Sequence, residues 1–148
     1  MKTAVSALMG SLLLAGAVAA QKLPQSQVPS VIVNNFQKAF PKAADVEWKK
    51  KDALYKVEFE TGTNKTDHDV WYDATGKLVK HKEEIATSAL PAAVQAKIAA
   101  AFAGYTVKDA EKITEGTKET YKATLKKQPE KWEVVFDAQG NIVSKKAD

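Results

Sequence analysis

The segment VWYDATGKLV, residues 70–79, returns further along the chain as VVFDAQGNIV, residues 134–143. In both copies Asp at the first and Gly at the fourth turn position suit a type I turn closed by a left-handed residue. That is a three-residue hairpin loop with a bulge. Trp71 and Tyr72 are adjacent, and neighbouring strand residues point to opposite faces of a sheet, so one of the two leaves the core. Counting outward from the turn sets Asp73 opposite Lys77, Tyr72 opposite Leu78, Trp71 opposite Val79 and Asp69 opposite His81. The second copy sets Phe136 opposite Ile142 and Val135 opposite Val143. Tyr72 and Phe136 are therefore expected in the core, with Trp71, Val79, Val135 and Val143 on the far face.

The repeat extends beyond this hairpin. VPSVIVNNFQKAF from Val28 matches LPAAVQAKIAAAF from Leu90, aligning Pro29 with Pro91 and Phe40 with Phe102. LYKVEF (54–59) matches TYKATL (120–125). The blocks are collinear, so the chain reads as two tandem units, 28–87 and 88–148, after a short linker over 21–27. Each unit opens with a helix. Pro29 and Pro91 suit a first helical turn, and Ile32, Phe36 and Phe40, like Val94, Ile98 and Phe102, fall on one face at helical spacing. Pro41 and Gly104 end the two helices. Four strands follow, near 46–50, 54–60, 66–73 and 77–83 in the first unit. In the second they lie near 107–114, 119–126, 131–137 and 141–145. In YKVEF, Tyr55, Val57 and Phe59 alternate inward against Lys56 and Glu58, and Trp48 and Trp132 also read as inward. The predicted fold class is α+β, one helix on a four-stranded antiparallel sheet in each unit. Two such sheets side by side can join edges and hide one edge each.

Residues 1–20 read as a secretory signal peptide. Lys2 precedes an apolar run, and small residues at 17–20 offer a cleavage site before Gln21. No later stretch is apolar enough to span a bilayer. The chain has no Cys, so export brings no disulfide framework, which suits a bacterial periplasm or surface. The formal net charge is +4, one unit of it from Lys2. All the basic residues are Lys, and they alternate with acids, as in KHKEEI. Without Arg, and without a one-sign stripe, nucleic acid is not an expected partner.

VP at 28–29, Phe36, FP at 40–41 with Ala43, VEW at 46–48, YKVEF and VWYDATGKLV, followed by LP, YKATL and EVVFDAQGNIV, resemble the secreted beta-lactamase-inhibitor-like, PepSY-like proteins of Bacteroidetes-type bacteria. The resemblance covers nearly all of the chain beyond the leader. It implies the fold of the tandem-repeat inhibitor of beta-lactamases, with helices on one face of a sheet and the other face receiving the enzyme. PepSY modules are also linked with secreted proteases. The resemblance implies a binding role and an exported location, and supplies no catalytic residues.

Chemical motifs are sparse. The two His residues match no hydrolase or metalloprotease pattern, and no glycine-rich phosphate loop is present. No cofactor and no enzymatic activity are expected. Asp67, His68, Asp69, Asp73 and His81 are potential metal ligands. Simple alternation sets His68 on the face of Val70 and Tyr72 and His81 on the face of Asp69, so no metal site is expected. The outward set Trp71, Val79, Val135 and Val143 is the candidate partner-binding surface, because contiguous exposed apolar groups mark interfaces. The leading expectation is a non-enzymatic exported module binding a protein, a hydrolase or protease, through this face, with a lysine-rich rim. The alternative is a small-ligand or anionic envelope-polymer binder using a cleft between the two units. A homodimer burying the face is a third arrangement.

Overall fold

The computed structural model describes residues 20–148, so the expected leader lies outside the described residues except for Ala20. The strands are β1 (Gln21–Leu23), β2 (Ala44–Lys51), β3 (Leu54–Thr61), β4 (Thr66–Tyr72), β5 (Leu78–Ile85), β6 (Thr106–Glu115), β7 (Lys118–Lys127), β8 (Glu130–Asp137) and β9 (Ile142–Ala147). They form one antiparallel sheet in sequence order. The helices are α1 (Ser30–Ala39), between β1 and β2, and α2 (Ala92–Ala101), between β5 and β6.

The two units are continuous across the β5–β6 pair. Its register runs from His81 opposite Thr114 to Ile85 opposite Ala110. Each unit keeps its own apolar core under its own helix. In the first, Ile32 and Phe36 of α1 cover Trp48, Val57, Phe59, Val70 and Tyr72. In the second, Val94 and Ile98 of α2 cover Ala110, Ala123, Leu125, Val134 and Phe136. Both helices lie on one face. On β5, whose alternate residues share a face, His81 meets the Phe40 ring after α1 while Ile85 packs on the second core. No helix among the described residues is long and apolar enough to cross a membrane.

Segment 21–27, expected as a linker, contains β1. Leu23 pairs with Trp48 and packs on the first core, so this strand covers one sheet edge with backbone hydrogen bonds.

The hairpin turns follow the expected chemistry. In the first, Asp73 N–H donates to the Lys77 carbonyl at 3.0 Å, and Gly76 N–H to the Asp73 carbonyl at 3.1 Å. Tyr72 pairs with Leu78 as counted. Beyond that pair the register departs from the count. Trp71 pairs with Lys80, not Val79, and Asp69 with Lys82, not His81. Val79 is the extra residue of a β-bulge. The second unit repeats it: Phe136 pairs with Ile142, but Val135 pairs with Ser144, leaving Val143 as the extra residue. A one-residue bulge reverses the alternation of everything beyond it. Lys80 and Lys82 therefore go to the face away from the helices, and His81 goes to the helix face.

Candidate functional site

The face away from the helices is built from strand positions whose neighbours fill the cores. Trp71 and Val135 lie on it, as expected. Lys56 and Lys80 are the register partners of Trp71, and their ammonium groups sit 5.1 and 5.0 Å from its ring centre. The indole is thus half-buried between two lysine stems, an arrangement of cation–π type. Val135 is half-buried between Lys122 and Ser144. It lies four strands from Trp71, about 19 Å at the usual strand spacing. Val143 is 51% exposed at its bulge and Val79 is half-buried at the other. The four residues do not form one contiguous apolar patch.

A charged ribbon crosses the same face. Lys22 on β1 pairs with Glu47 at 3.0 Å, Glu47 with Lys49 at 3.2 Å, and Lys49 with Glu58 at 2.8 Å. Lys56 joins Glu58 at 2.6 Å and Asp69 at 3.1 Å. Lys82 joins Asp69 at 2.9 Å and crosses the seam to Glu111 at 3.6 Å. Lys122 continues from Glu111 at 2.8 Å to Glu133 at 3.8 Å on β8. Burial opposes the ionised form of Glu58, but hydrogen bonds from Lys49 and Lys56 outweigh it and hold the carboxyl below its usual range. Burial likewise opposes the charge of Lys82, and Asp69 with Glu111 raises its ammonium above the usual value. Single exposed pairs contribute about 0–1 kcal/mol.

A groove of about 560 Å³ opens on this face at the end of the sheet away from Trp71. It runs from β2 to β6 and so spans the junction of the units. Its ionisable lining is nine carboxylates, one pair from each of β2, β3, β4 and β6 plus Glu84 of β5, against Lys82 as the sole lysine, with His68 at its margin. Glu47, Glu58, Asp69 and Glu111 belong to the ribbon. Asp45, Glu60, Asp67, Glu84 and Asp109 form no ion pair among the described residues. The groove is therefore strongly negative in a chain of net positive charge. The acids are dispersed over five strands, with no more than two to a strand, in a chain rich in lysine, so no single stretch announces the groove. Only the register gathers them.

The bulge at Val79 produces a second constellation, on the helix face. His68 and His81, expected on opposite faces, lie side by side with Nδ1 of His68 3.0 Å from Nε2 of His81. Glu83 completes a group whose potential ligand atoms lie within 4.8 Å of one another. Burial pushes both imidazoles below the usual histidine value. The Glu83 carboxylate opposes that at both rings, and Lys112 reinforces it at His81.

The family model described as "Putative beta-lactamase-inhibitor-like, PepSY-like" matches residues 17–80 and again 54–144. The chain belongs to this family. The double match agrees with the internal repeat. In fold the chain is similar to a protein of Bacteroides eggerthii described as "putative periplasmic". The two are 21% identical with a TM-score of 0.72, over 81% of this chain and 88% of that one. It is also similar to a BLIP-like protein of Bacteroides fragilis, at 20% identity and a TM-score of 0.68 over 84% and 87% of the chains. A DUF2874 family protein of Bacteroides ovatus is 18% identical, with a TM-score of 0.69 over 80% and 86%. None of the curated proteins matches this chain.

Proposed function

We propose that this family member is an exported, non-enzymatic binding module that holds a basic segment of a protein partner against its outer sheet face. The observation carrying this reading is the groove across the unit junction, with five carboxylates that no lysine among the described residues pairs with. A cationic loop supplies the missing counter-charges, and complementary charge both steers encounter and fixes register. Trp71 serves as the aromatic anchor. It lies two residues along β4 from Asp69 of the groove wall, and Lys56 links the two by reaching both. Val79, Val135 and Val143 are peripheral contacts in this reading. The family's inhibitor-like description and the BLIP-like relative support an exported hydrolase or protease as the partner class. An anionic envelope polymer in the same cleft meets nine carboxylates and is disfavoured.

The test is capture of periplasmic proteins by the wild-type chain, by Trp71→Ala and by an Asp67→Asn, Glu84→Gln variant. A protein retained by the wild type should be lost about 10–100-fold from both variants, and its retention should weaken with salt. Each variant should keep the wild-type melting temperature within about 2 °C, since neither alters the core. Capture indifferent to both substitutions overturns the reading. Collapse of the Trp71→Ala fold would show that the ring acts in packing.

A further inference from the structure

We propose that His68, His81 and Glu83 bind a divalent transition-metal ion of the Zn²⁺ or Cu²⁺ type on the helix face, at the junction of the two units. The spacing of the donor atoms fits such an ion. Two imidazole nitrogens that share such an ion at about 2.0–2.1 Å, with an angle of 90–109°, stand about 2.9–3.4 Å apart. His68 Nδ1 and His81 Nε2 are 3.0 Å apart already, held by a hydrogen bond whose proton the ion displaces. Glu83 Oε2 is 3.8 Å from His81 Nε2, and Glu83 is the register partner of His68 on the adjoining strand. A small side-chain rotation brings the carboxylate to the ion. Two imidazoles and one carboxylate, with no thiolate, form a donor set for Zn²⁺ or Cu²⁺ and leave positions open for water.

The rings are also held in place. Thr61 Oγ1 lies 2.7 Å from His68 Nε2. When the hydroxyl oxygen accepts that N–H, the lone pair is left on Nδ1, the atom facing His81. Phe59 stacks on His68 at 4.9 Å and 5°, and Phe40 meets His81 edge-on at 5.5 Å. Preorganised rings lose little freedom on binding. The cation that acts on His81 is Lys112, the register partner of Glu83, and its ammonium is paired with Glu119 at 3.1 Å. With that pair cancelling, Glu83 leaves the site with the sign that attracts a cation. The groove carboxylates lie on the other face and make a separate, weaker cation sink that the test must distinguish.

The experiment is titration of the EDTA-treated, dialysed protein with ZnCl₂ and, separately, CuCl₂, followed by calorimetry. One ion should bind per chain in the micromolar range. His81→Gln should weaken binding by more than about 100-fold, and Thr61→Val by about 10-fold as a positioning change. Asp45→Asn with Asp109→Asn, groove carboxylates that act on neither imidazole, should leave it unchanged. The Cu²⁺-loaded wild type should show electron paramagnetic resonance hyperfine structure from two nitrogens, a readout independent of whether any variant folds. Absence of saturable binding, binding unaffected by His81→Gln, or a spectrum without nitrogen coupling overturns the proposal. These outcomes do not depend on partner capture, so this proposal and the binding-module reading fail separately.

Discussion

Tyr72 and Phe136 occupy the same place in the two units, and both are almost wholly buried. They differ by one hydroxyl. Tyr72 Oη has no hydrogen-bond partner among the described residues, and burial pushes the phenol up to about 12. A buried hydroxyl without a partner costs about 1–3 kcal/mol, whereas the ring contributes by burial alone. Tyr72→Phe should therefore stabilise the fold by about 1 kcal/mol, read as a higher urea midpoint with an unchanged slope. Phe136→Tyr should destabilise by a similar amount. A loss of stability in Tyr72→Phe would mean that the hydroxyl makes a bond through water. The inward position of Tyr72 and the outward one of Trp71 were legible from alternation, with the repeat fixing the phase. The setting of Trp71 was not legible. Its lysine neighbours are 15 residues back and 9 residues ahead in sequence, and only the cross-strand register of Lys56 and Lys80 brings them to the ring.

Among the elements, the Asp-x-x-Gly hairpins carry more than a change of direction. Asp73 Oδ1 accepts hydrogen bonds from Thr75 N–H at 2.9 Å and Lys77 N–H at 3.1 Å, and Asp137 Oδ1 accepts from Gln139 N–H at 3.0 Å and Asn141 N–H at 2.9 Å. The turn glycines tuck beneath the helices. The Gly76 carbonyl accepts from Asn35 Nδ2 of α1 at 2.8 Å, while Gly140 lies against the Ala93 backbone of α2. Gly140 has φ +86, and a Cβ there would run into the Ala93 carbonyl oxygen. Gly116, at φ +61, faces open space. Gly116→Ala should cost about 1–2 kcal/mol, for the left-handed backbone alone. Gly140→Ala should cost about 2 kcal/mol more, because a backbone atom must also move. Denaturant unfolding of the two variants checks the difference, and equal losses would rule out helix contact as the reason for Gly140. The turns themselves were legible because Asp and Gly have distinct backbone chemistry. The bulges at Val79 and Val143 were not, since an extra valine in a strand carries no local signal. That single residue hid the histidine cluster. The strand β1 escaped for a related reason: three residues are too few to show a period, and its pairing is set by the open edge of β2.

For the whole molecule, the tandem units and the α+β class were legible in the collinear repeat. Edge-to-edge joining was legible as an arrangement, but its register was not, because pairing His81–Ile85 with Ala110–Thr114 requires the bulge-shifted phase of β5. The joined sheet collects groups whose protonation is linked to folding, and they act in two separate pH windows. Burial holds His68 and His81 below the usual 6.5, so the unfolded chain binds protons there before the folded chain does. Stability is thus full above that usual value and falls as pH drops through it, levelling off once the folded-state values are passed. Carboxylates act lower. Hydrogen bonds from Lys22 and Lys49 hold Glu47 below the usual 4.5, and those from Lys49 and Lys56 overcome burial to do the same for Glu58. Side-chain and backbone bonds in the turns, Thr75 first for Asp73 and Asn141 first for Asp137, hold those carboxyls below the usual 3.8. Their contribution is present above those usual values and is lost as pH falls through the folded ones. The urea midpoint, measured with EDTA present, should therefore descend in two steps from pH 8 to pH 2. His68→Gln combined with His81→Gln should remove the upper step and keep the lower one. A single acidic transition in the wild type would show that the paired imidazoles titrate in the folded protein as they do in the unfolded chain.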